Sequence, residues 1–98
     1  MARFDVYRLA SGSLVLDCQA DILSSLKTRF VVPLLPVEEA PHPAARLNPI
    51  FSFGGESHVM VTQFAAAMPL KEVTEAIASL EAEEVAISNA LDMLLTGY

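Results

Sequence analysis

Cys18, His42 and His58 are the only soft metal ligands in the chain. They form no CxxC, HxH or HExxH arrangement, so their spacing brings no two of them to one ion. His42 lies in "PHP", a loop context, and His58 in a strand-like run; both read as structural or solvated. There is no GxSxG motif. Cys18 alternates with Leu14 and Leu16 on an apolar side, whereas a reactive thiol needs electropositive surroundings. "FGGE" carries neither a GxGxxG pattern nor a Walker lysine and reads as a hairpin turn. Glu38-Glu39 and Glu83-Glu84 are adjacent pairs, the first in a Pro-rich loop and the second early in a helix, where neighbours do not share a face. Arg29, beside Thr28 at the start of a central strand, could serve an RNA-cleaving site, but a strand-end arginine is more often a surface partner for Asp or Glu, and no converging acid–base group accompanies it. These patterns point away from an enzyme, a bound metal and a cofactor.

The closing segment "LDMLLTGY" is different. Gly97 is well placed to end a helix in a left-handed conformation. That leaves an aromatic, Tyr98, just beyond the cap, where such a residue is either packed or used for contact.

The elements that must position these residues follow from pattern. "ARFDVYRL" and "LVLDCQ" alternate around the turn "ASGS", which predicts a β-hairpin. In its second arm Leu14, Leu16 and Cys18 share one side, and Val15, Asp17 and Gln19 the other. "DILSSLK" is a loop or one helical turn. "TRFVVPLL" is almost continuously apolar, as in a strand buried on both faces, with Pro33 marking a bulge or a local break in pairing. Residues 36–49 hold four prolines and form a loop, with a short helical turn around "AARL". "PIFSF", "GGE" and "SHVMVTQF" predict a second hairpin that places His58, Met60, Thr62 and Phe64 on one face. From Pro69 the spacing turns helical. It fits either one helix to Leu95 or a helix broken near Ser79, with Ser79 as N-cap and Glu81, Glu83 and Glu84 in the first turns. Ile87, Ala90, Leu91 and Leu94 form its apolar stripe.

Ninety-eight residues make one domain, spanning 1–98. The chain is 53% hydrophobic with mean hydropathy +0.44, more than so small a core can bury, so an apolar exposed face and a homodimer are expected. The longest stretch free of formal charge, Ser57–Leu70, falls short of the ~20 apolar residues of a membrane span. "MARFDVYRLA" lacks the apolar core of a signal peptide, and a single cysteine suits a reducing cytoplasm. Net charge is -6, and after Lys71 no positive side chain remains. A direct grip on a phosphate backbone needs clustered Lys and Arg, which argues against direct nucleic-acid binding by the second half.

The whole chain resembles the CcdB family of bacterial toxins. The carriers are "FDVY", "LDCQADI", "RFVVPL", "LNPIF", "GESHVMVTQ" and "ALDMLLTGY", in order from end to end. The resemblance implies an α+β fold, a small SH3-like β-barrel of the CcdB/MazF type with a C-terminal α-helix, assembled as a homodimer. It favours the helix broken at Ser79. It implies a non-enzymatic toxin of a type II toxin–antitoxin system that binds the A subunit of DNA gyrase and traps the cleaved gyrase–DNA complex. A CcdA-type antitoxin would neutralise it and, with it, repress their operon, so that DNA is met only through these partners. The family's gyrase contacts correspond to Thr96, Gly97 and Tyr98, to Ile22 and Leu23, and to Asp92, which lines the helix near the tail with Asn89. Thr96 stands where the type member of the family has tryptophan, and Tyr98 is expected to supply an aromatic instead. The alternatives are an antitoxin-binding co-repressor that does not poison gyrase and an endoribonuclease of the same fold using Arg29.

Overall fold

A computed structural model describes residues 2–97. Among the described residues seven strands precede one α-helix: β1 (Asp5–Leu9), β2 (Leu14–Asp17), β3 (Thr28–Pro36), β4 (Ile50–Phe53), β5 (Glu56–Met60), β6 (Ala66–Pro69), β7 (Val73–Ser79) and α1 (Glu84–Thr96). Every pairing is antiparallel, and the sheet runs β4-β5-β3-β2-β1-β7, with β6 also on β3. It curls into a half-barrel around α1, so the expected barrel is met in part.

Both predicted hairpins form. Gly54 and Gly55 take φ of 61° and 78°, the two consecutive positive values that a tight two-residue hairpin turn demands. Pro33 marks a seam. On one edge β3 pairs with β2 without interruption from Val31 to Leu34. On the other it pairs with β6 up to Val31 and with β5 from Leu34 onward. Between them the Pro33 carbonyl accepts the Val61 N–H at 3.0 Å, which closes the gap. The helical turn around "AARL" also forms, closed by the Asn48 N–H on the Ala44 carbonyl at 2.9 Å.

The sidedness of β2 is as its alternation predicts. Leu16 and Cys18 enter the main core with Val6, Val32, Leu34 and Met60, and α1 lays Ile87 and Ala90 on this cluster. Val15 faces the other way, against Tyr7 and Val31, with Met68 and Val73 closing over them. The central strands are therefore buried on both faces.

Two expectations fail. Residues 69–79 are not helical. A 3-10 turn at Leu70–Glu72 leads into β7, and α1 begins only at Glu84 after a second turn at Glu81–Glu83. The reason is tertiary. The outer edge of β1 offers a row of backbone donors and acceptors, and β7 takes them from Asp5↔Ser79 to Leu9↔Val73. Val73, Thr74 and Ile77 are β-branched and suit a strand, and this pairing outweighs the local preference of Glu and Ala for helix. No helix precedes Ser79, so of the two readings only the closing helix survives, and it starts five residues beyond the expected cap. Ser79 Oγ accepts the Glu81 N–H at 3.3 Å, which supports the turn ahead of α1 rather than capping α1 itself. The second failure is Phe64. β5 stops at Met60, and Thr62–Phe64 is a 3-10 turn that leaves Phe64 exposed while His58, Met60 and Thr62 are buried.

Two register shifts make β7 a bulged edge, with Ile77 and Thr74 as the extra residues. Bulges of this kind twist an edge away from further pairing. Because Ile87 is fully buried and anchors α1 to the sheet, Ile87→Ala should destabilise the fold by about 2–5 kcal/mol. Urea unfolding followed by circular dichroism checks this, with an unchanged midpoint counting against the packing described.

Candidate functional site

The residues expected to make contact lie at two ends of α1. Thr96 closes its last turn, and its hydroxyl donates to the Asp92 carbonyl at 2.7 Å, one turn back. Gly97 follows at φ 83° and ψ 4°, and its N–H donates to the Met93 carbonyl at 3.0 Å. This is the left-handed cap read from the sequence, and it turns the chain off the helix axis. Tyr98 lies outside the described residues. Asn89, Asp92 and Thr96 are all exposed and, at spacings of three and four, share one face; Val85 extends the stripe toward the helix start. Val85 and Leu95 are each 73% exposed. Sequence patterning does not single out Val85, although its spacing of four from Asn89 places it on this stripe.

Ile22 and Leu23 sit on the 3-10 turn Asp21–Leu23 that follows β2. Ile22 is 88% exposed, and Leu23 and Leu26 are about half exposed. Asp21 lines a shallow cavity with Arg3, Glu81 and Glu84, so this turn neighbours the start of α1. Thr96 lies twelve residues beyond Glu84, about 18 Å along the axis at 1.5 Å per residue. Within one chain the two contact zones are therefore separate.

Behind the Ile22 turn is a buried polar network. Arg29 donates from Nε and Nη2 to Asp17 Oδ2 at 3.0 and 2.7 Å, and the two side chains are 1% and 0% exposed. Asp17 Oδ1 accepts the Gln19 N–H at 3.0 Å. Gln19 Oε1 accepts the Phe30 N–H at 2.9 Å, while its Nε2 donates to the Leu23 carbonyl at 3.0 Å. Arg29 is thus sealed from solvent and paired with Asp17 through Nε and Nη2. Alternation places Asp17 and Gln19 on one side of β2, and the acidic partner expected of Arg29 is Asp17, buried rather than at the surface. The signal was present: two polar residues at i and i+2 facing an arginine on the neighbouring apolar strand.

Cys18 and His58 are both buried. Burial pushes the Cys18 thiol from 9.0 up to about 12, with the Asp17 charge acting in the same direction and Arg3 against it. The His58 ring is buried, stacks on Phe53 with centroids 4.5 Å apart, and holds Nε2 3.4 Å from Glu56. Among the described residues no three of His, Cys, Asp and Glu gather at one point, and no helix is long and apolar enough to cross a membrane.

A family model described as "CcdB protein" matches residues 3–97, nearly the whole chain, and the chain belongs to the CcdB family. Among solved structures, an "Endoribonuclease from Mycobacterial species" superposes with a TM-score of 0.80 over 97% of this chain and 90% of that one. Its sequence identity is 13%, so the likeness is one of fold.

Removing one partner of the sealed ion pair strands the other. Arg29→Met should cost about 3–5 kcal/mol in urea unfolding, and the double variant with Asp17→Asn should recover part of it. The thiol sets a pH dependence. Below 9.0 it is protonated whether folded or not; from 9.0 to about 12 the unfolded thiol ionises while the buried one holds its proton. The unfolded state then binds fewer protons, so stability falls as pH rises through this window. Tyr7, pushed above 10.0 chiefly by burial, adds to the fall. Unfolding midpoints at about pH 8 and about pH 10 should show the decline, and Cys18→Ala should reduce it.

Proposed function

We propose that this CcdB family member is the toxin of a type II toxin–antitoxin system, a homodimer that binds the A subunit of DNA gyrase and traps the enzyme with its DNA cut. Family membership supports the toxin class. The observation that carries the gyrase reading is the exposed stripe of α1, which ends in the left-handed Gly97 beside an exposed Leu95. An apolar side chain held in water next to a cap that redirects the backbone is suited to insertion into a partner.

In this reading Thr96, Gly97 and Tyr98 form the main contact, Asp92 borders it, and Ile22 with Leu23 form a second zone. The two zones lie at opposite ends of one α1. The partner surface should be basic, because residues 72–97 carry six acidic side chains and no Lys or Arg. In this reading the protein acts by binding and not by chemistry, which is supported by the pairing of Arg29, the residue singled out for RNA cleavage, with Asp17. A CcdA-type antitoxin neutralises the toxin and joins it in repressing their operon, acting in the cytoplasm.

A second reading is favoured by Thr96. Its short side chain bonds back onto Asp92 and offers no ring for stacking. An interfacial tryptophan is a residue whose loss costs roughly 2 kcal/mol or more. If Tyr98 does not replace it, the protein keeps antitoxin capture and repression without poisoning.

The test is purified protein with gyrase A and B subunits, supercoiled plasmid and ATP, quenched with detergent. Linear DNA above the gyrase-only level is the expected outcome. Deleting residues 96–98 should abolish it while leaving the melting temperature and antitoxin binding unchanged. Poisoning that survives the deletion overturns the tail as the contact. Absence of linear DNA with the intact chain selects the co-repressor.

A further inference from the structure

Gln19 is the one member of the buried network whose side chain leaves the sheet. The β2–β3 ladder ends at Asp17↔Val31, followed by the Cys18 N–H on the Phe30 carbonyl at 2.9 Å. Beyond this point the Phe30 N–H has lost its strand partner. The Gln19 amide takes that place, accepting from Phe30 and donating to Leu23 at the far side. A primary amide presents one acceptor and one donor in a plane, as a peptide group does, so Gln19 extends the sheet by one step and ends it on the Ile22 turn.

The turn is fixed from other directions too. The Arg3 N–H donates to Asp21 Oδ1 at 2.8 Å. Leu23 N–H bonds to Ala20 and Ser24 N–H to Asp21. The Leu23 carbonyl accepts from both Gln19 and the Leu26 N–H, which uses both its lone pairs. The result is an isoleucine 88% exposed on a backbone that has little freedom left. Ile22 has almost no packing of its own to keep it there. Holding an apolar side chain ready in water lowers the ordering cost of association.

We infer that Gln19 is the positioning residue of the Ile22 turn, holding it in the conformation that a partner meets, with Asp17 and Arg29 fixing Gln19 from behind. The inference rests on the proposed role of Ile22 and Leu23 in binding gyrase, but its structural half can be tested without a partner. Gln19→Met removes donor and acceptor at nearly constant shape. Gln19→Glu keeps the acceptor for Phe30 and loses the donor to Leu23. Amide hydrogen exchange followed by NMR should show Leu23, Ser24 and Leu26 exchanging about tenfold faster or more in both variants, with Leu16 and Val32 unchanged. Phe30 should lose protection only in Gln19→Met. Unchanged turn amides overturn the inference. Exchange that rises equally at Leu16 and Val32 also overturns it, since Gln19 would then serve global stability alone; if Gln19→Met does not fold, Gln19→Glu decides.

The binding half uses purified gyrase A subunit as the probe. Gln19→Met should weaken binding about fivefold, and no further when Ile22→Ala is already present. Equal weakening in both backgrounds overturns the inference, because Gln19 would act elsewhere. If Ile22→Ala leaves binding intact while the Gln19 variants loosen the turn, positioning of the turn is upheld and the gyrase role of Ile22 fails.

Discussion

A carboxylate and a guanidinium closed off from water govern the arrangement of the first half of the chain. Asp17 and Arg29 sit near the end of the β2–β3 ladder, each nearly without solvent contact. Taking two charges out of water costs several kcal/mol apiece, which only close geometry and additional hydrogen bonds offset. Here both are present. One oxygen of Asp17 meets Arg29 twice, and the other holds the Gln19 N–H. The Asp17 carbonyl accepts the Phe4 N–H at 2.6 Å, so the segment before β1 is tied to the same point. A register slip of one residue would turn Asp17 into the apolar core and leave Arg29 unpaired, so the pair specifies the alignment of β2 on β3.

Phe4 shows how firmly this corner is determined. It is a bulky non-glycine residue at φ 73°, a conformation that costs of order 1–3 kcal/mol. Its N–H is held by Asp17, its carbonyl accepts the Leu80 N–H at 2.8 Å, and the Arg3 guanidinium lies 4.5 Å over its ring. Its side chain is buried in the main core. The chain accepts the strain because each alternative would break several of these contacts together. The same corner borders the Ile22 turn and the start of α1, so the proposed second contact zone stands on rigid ground.

Much of this was legible in the residues, and the failures have physical causes. The hairpin at Gly54-Gly55, the seam at Pro33, the two sides of β2 and the cap at Gly97 all follow from local rules about φ, donors and alternation. The strand at residues 73–79 does not, because its hydrogen-bond partner is β1, near the other end of the chain. A window containing Glu, Ala and Leu looks helical until that edge is known. The Asp17–Arg29 pair was hidden for the same reason: each residue is legible, but their meeting depends on a register. At the candidate site, α1 and its buried stripe through Ile87 and Ala90 were readable from spacing. The Gln19 bridge was not, since a side chain continuing a strand ladder leaves no periodic trace. The tail and Ile22 came from family likeness, not from local physics.

The pairing of β1 with β7 bears on how the protein comes into being. Synthesis delivers β1 well before the strand that completes its outer edge, with α1, which closes the core through Ile87 and Ala90, later still. Long-range pairing of this kind forms slowly, since the connecting chain must be gathered before any contact rewards it. A nascent chain lacking residues 73–96 would have an open β1 edge and an uncovered apolar cluster. It would need shielding from other chains in the meantime. The outer edge of β1 and the cover of the apolar cluster thus depend on the segment that follows β6.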